Sequence, residues 1–78
     1  MYFTRAKRKA FELFLELEEE NKNADVVYHV EFSLLSIHFQ KIVLRGDEKP
    51  FSVHATEWGD GEAEAMIAAM KKELADVG

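Results

Sequence analysis

From Ala24 to Trp58 apolar and polar residues alternate with a period of two, and on either side of that block apolar residues recur at helical spacing. The block divides into three strands. In the first, Val26, Tyr28, Val30, Phe32 and Leu34 share the core face, and Val27, His29, Glu31 and Ser33 share the other. In the third, Phe51, Val53 and Ala55 point inward, leaving Ser52, His54, Thr56 and Trp58 outside. The second strand breaks the pattern. Ile37 and Phe39 are in phase, Ile42 and Leu44 are out of phase with them, and strict alternation would bury Lys41 beside Val43. A bulge near Gln40 and Lys41 is the expected remedy.

Before this block, Phe3, Ala6, Ala10, Leu13, Phe14 and Leu17 predict an amphipathic helix from Thr4, its N-cap, to about Asn23. Phe11 and Leu15 widen the apolar stripe to roughly half the circumference, where packing on a sheet needs an arc of about 100°. The last helix packing beside it is the expected cover; self-association or a partner is the alternative. After the block, Gly59, Asp60, Gly61 and Glu62 start a second helix with Asp60 as its cap, and Met66, Ile67, Met70, Leu74 and Val77 form its buried stripe. Ser33 to Ser36 is the one available turn between the first two strands, although it holds two leucines and neither glycine nor proline. Gly46 to Pro50 makes an ordinary hairpin loop, with Arg45 paired to Phe51. The predicted fold is therefore α+β: helix, three-stranded antiparallel meander, helix, with both helices on one face of the sheet, in one domain spanning residues 1–78.

Charge changes the picture at the first helix. Arg5, Lys7, Arg8 and Lys9 crowd its positive end, and Glu16, Glu18, Glu19 and Glu20 crowd its negative end. Each misplacement costs a few tenths of a kcal/mol, so local helix stability did not select these residues. The second helix respects its dipole, with Glu62 and Glu64 first and Lys71 and Lys72 near the far end.

Composition narrows the classes further. With no cysteine, neither disulfides nor thiolate-bound zinc are available. No apolar run approaches the roughly 20 residues that cross a bilayer, and the first residues lack a signal-peptide core, so a cytoplasmic protein with no membrane partner is expected. A net charge of −5 disfavours general binding to nucleic acid.

The predicted element order resembles that of the double-stranded-RNA-binding domain, which docks RNA through shape and phosphate contacts. That family carries a lysine-rich cluster at the start of its last helix. Here Asp60, Glu62 and Glu64 occupy the position and would repel phosphate, so the chain is not assigned to it.

Candidate chemistry centres on His29, His38 and His54, which all fall on the outer sheet face. The register implied by the two turns puts His38 opposite Trp58, and both His29 and His54 opposite Ile42. His29 and His54 would then lie roughly 10 Å apart, too far for one ion, so no metal is assigned. Ser33 and Ser52 lack an acid–base arrangement, and no glycine pattern cradles a phosphate, so neither enzyme activity nor a cofactor is expected. What remains is a contact surface of Val27, His29, His38, Ile42, His54 and Trp58. The expected function is a small acidic protein-binding module or inhibitor, of which a phage-encoded anti-CRISPR protein is one version. Its partner is another protein or a second copy in a homodimer. The alternatives are a nucleic-acid-binding domain using Arg5, Lys7, Arg8 and Lys9, and a designed scaffold without function.

Overall fold

The computed structural model describes residues 2–22 and 25–77. Helix α1 (Tyr2–Glu20) is followed by strands β1 (Val26–Phe32), β2 (Ser36–Val43) and β3 (Phe51–Thr56), and helix α2 (Glu62–Val77) closes the chain. The strands form one antiparallel sheet in the order β1-β2-β3. The helices lie side by side against one face, α1 over β1 and α2 over β3. This is the α-β-β-β-α meander that the periodicity predicts.

The core lies between the layers. Ala6, Ala10, Leu13 and Leu17 of α1 and Ala63, Met66 and Met70 of α2 enclose Tyr28, Ile37, Phe39 and Ala55 of the sheet. Small residues at Ala6, Ala10 and Ala63 let the helices approach closely, and Phe39 at the centre of the middle strand stacks on Tyr28, ring centroids 5.8 Å apart. Phe32 and Leu34, expected inside, are exposed: Phe32 ends β1 with only the edge of the α1 residue Phe11 against it, and Leu34 sits in the turn beyond.

Four local expectations change. Helix α1 begins at Tyr2, so Thr4 lies inside its first turn and caps nothing. It ends at Glu20, where buried Asn21 caps it, the side-chain amide donating to the Leu17 carbonyl at 2.9 Å. At α2 the amide of Ala65 donates to Gly61, which makes Gly61, and not Asp60, the capping residue. Gly61 has φ +74°, a conformation in which a Cβ would be strained. The Glu62 carboxylate reaches back to accept from the Thr56 amide at 2.8 Å, tying the helix start to the end of β3. Lys71 and Lys72 fall short of the last turn of α2, which has no basic residue.

The largest correction concerns β2. No bulge interrupts it: pairing with β1 runs unbroken from Val26 opposite Val43 to Phe32 opposite Ile37. Strict alternation therefore holds and Lys41 is buried, only 8% exposed. The chain accommodates the ammonium by supplying two carboxylates.

Candidate functional site

Only one face of the sheet carries helices, so the other is open, and its residues follow from register. On β1 it presents Val27, His29 and Glu31; on β2, Ser36, His38, Gln40 and Ile42; on β3, Ser52, His54 and Thr56. Directly paired residues form rows across the strands: Val27 with Ile42, then His29 with Gln40 and Ser52, then Glu31 with His38 and His54. The face is apolar at one end, where Val27 and Ile42 are 44% and 39% exposed beside exposed Leu44, and rich in imidazole towards the other.

These rows correct the expected pairings. The β1–β2 register is shifted by two residues and the β2–β3 register by four, because β2 ends at Val43 and leaves a wider loop before Phe51. His38 faces His54 and not Trp58, and His29 faces Gln40 and not Ile42. The two paired imidazoles meet edge to face with centroids 5.9 Å apart. Glu31 bonds His29 on its own strand at 3.0 Å, and that hydrogen bond, helped by the imidazole's charge, holds the carboxyl below its usual range. Among the described residues no three of His, Asp and Glu are grouped so as to hold a metal ion.

Trp58 separates from the other five predicted contact residues. Strand β3 stops at Thr56, and Trp58, 77% exposed, sits in the following turn. There it lines a groove with Phe3 of α1 and Ala63 of α2, at one end of the molecule.

The four basic residues of α1 do not act together. Arg5 and Lys9 line the groove between the helices with Glu64, Ile67 and Lys71. Lys7 turns towards the β1–β2 connection, donating to the carbonyls of Ser33 and of Leu34, the latter at 2.9 Å. Arg8 lies exposed on the flank. A phosphate backbone would meet no continuous basic track along this helix.

The polar cluster around Lys41 was missed in the sequence. Its Nζ donates to Glu73 of α2 at 2.5 Å and to Glu48 of the β2–β3 loop at 2.8 Å, and the Tyr28 hydroxyl donates to the same Glu73 oxygen at 2.7 Å. Asn21 and Asp76 complete the walls of a small recess there. Burial pushes the Tyr28 phenol well above its ordinary value, reinforced by the Glu73 hydrogen bond and charge. Burial pulls Lys41 down, but its bonds to Glu48 and Glu73 outweigh that and hold it above its ordinary value. Both groups thus keep their protons more firmly than in water, the reverse of what a nucleophile or general base at neutral pH requires. The cluster is a clamp joining sheet, loop and last helix. The signal was Lys41 itself, in core phase between Phe39 and Val43, with Glu48 seven residues on.

Among the described residues no helix is long and apolar enough to cross a membrane. No family model, curated protein or solved structure matches the chain at a significant level.

Proposed function

We propose that the chain is a non-catalytic protein-binding module that acts by occupying a surface of its partner, and that the open sheet face makes the contact. The observation carrying this reading is that uncovered face, with Val27 beside Ile42 at one end and His38 beside His54 further along. A rigid backbone presenting apolar groups next to imidazole donors and acceptors suits recognition of a protein surface without ordering cost on its own side. An inhibitor is the natural mode for so small a module, and a phage-encoded inhibitor of the anti-CRISPR kind is the concrete version favoured by its size and acidity. A cytoplasmic location accords with the absence of cysteine.

The test compares captured proteins between the parent chain and an Ile42→Glu variant. Ile42 projects outward and is partly exposed, so the fold tolerates the charge while an apolar contact does not. A partner that binds the parent and is lost or weakened tenfold or more with Ile42→Glu supports the reading. A partner retained at full affinity by Ile42→Glu and by His54→Glu rejects this face as the contact.

A further inference from the structure

Helix α1 has a second uncovered surface, on the helix side of the sheet and separate from the face just described. Helix α2 packs beside α1 but along the opposite flank, so Phe11 and Leu15 stay 49% and 48% exposed. Phe32 at the end of β1 adjoins them, its ring 6.2 Å from that of Phe11. Along this flank Arg8, Phe11, Leu15 and Glu18 succeed one another at intervals of three, four and three residues. That is the spacing of a seam on which two helices pack.

The charges at the two ends of the seam identify what covers it. Arg8 and Glu18 lie ten residues apart, about 15 Å along the axis, too far to pair with each other. Neither enters an ion pair among the described residues; the pairs on α1 are Lys9 with Glu12 and, just past its end, Lys22 with Glu19. We infer that α1 packs antiparallel against α1 of a second copy of the chain, forming a two-fold symmetric dimer with the axis midway between Phe11 and Leu15. Phe11 of each copy then meets Leu15 of the other, and Arg8 of each meets Glu18 of the other, closing an apolar centre with an ion pair at either end. The interface is isologous and satisfies itself completely.

The same arrangement answers two of the charges that oppose the helix dipole. In a single chain the basic half of α1 sits at the positive end of its dipole and the acidic half at the negative end. Beside an antiparallel copy, Arg8 lies against the partner's negative end and its Glu18, while Arg5, Lys7 and Lys9 face other parts of their own chain. A parallel pair would instead set Arg8 against Arg8 and Glu18 against Glu18, so charge alone selects the antiparallel form.

Sedimentation equilibrium of the full chain over a range of concentrations tests this. The parent is expected to reach twice the 9.0 kDa chain mass. Arg8→Glu and Glu18→Arg, both exposed and checked for fold by circular dichroism, are each expected to raise the dissociation constant roughly tenfold or more, because each makes both ion pairs repulsive. The double variant Arg8→Glu with Glu18→Arg is expected to recover dimerisation, and so is an equimolar mixture of the two single variants. Loss in both single variants followed by recovery in the double variant separates antiparallel from parallel pairing, in which neither single change alters the sign of a pairing. A parent that stays monomeric at every concentration overturns the inference, and so does a dimer indifferent to both single variants. Either result leaves the open-face reading standing, since Ile42→Glu reports on that surface alone.

Discussion

The two helices of this chain treat charge in opposite ways. In α2 two of the four carboxylates have partners inside the molecule: Glu62 bonds the end of β3, and Glu73 holds both Lys41 and Tyr28. In α1 most charges point outward and several oppose the helix's own dipole. An element whose charges are answered within the chain is built for stability. One whose charges are left open, next to half-exposed Phe11 and Leu15, leaves a surface free for contact.

The sharpest way to break the contrast is Glu73→Ala. Removing the carboxylate leaves Lys41 with Glu48 alone and strips Tyr28 of its acceptor, and urea unfolding should register a loss of about 3 kcal/mol. An unchanged midpoint would mean the clamp contributes nothing. Alkaline titration ranks next. The folded state prefers neutral Tyr28 and charged Lys41, and both hold their protons above the ordinary values of 10.0 and 10.5. Their stabilisation is therefore complete below about pH 10 and is lost as pH rises beyond it. Thermal melts should fall above that pH, and Tyr28→Phe should flatten part of the decline. The smallest effect belongs to α1, where Thr4→Glu supplies the acidic residue missing from the first turn and lies one turn before Arg8. It should add about 0.3–1 kcal/mol at low salt, fading as salt rises.

Periodicity carried the fold because it records which face a residue takes, and the faces of Tyr28, Val30, Ile37, Phe39, Val53 and Ala55 follow from it. It cannot record register. Sliding β3 along β2 by four residues leaves every inner residue inner, so nothing in the alternation separates His38 opposite Trp58 from His38 opposite His54. The candidate surface was legible as a set of residues and not as a set of neighbours. Trp58 failed for a different reason, since its phase extended a strand that ends two residues earlier. The β1–β2 turn lacked its usual markers because no residue in it needs positive φ; Ser33 bonds Ser36 through backbone and side chain, and Lys7 holds its carbonyls from above. Lys41 was legible as a problem, and its solution lay 32 residues away on α2.

Lys41 also matters to a chain that has not yet folded. The run from Ile37 to Leu44 joins isoleucines, a valine, a leucine and a phenylalanine with no proline or glycine, a composition prone to intermolecular β-stacking. One ammonium in the middle of that run penalises stacked copies, each of which would place like charges at the fibril's strand spacing. On folding, Glu48 and Glu73 arrive to neutralise the same charge, so a residue costly to bury serves as a guard against aggregation until its partners are in place.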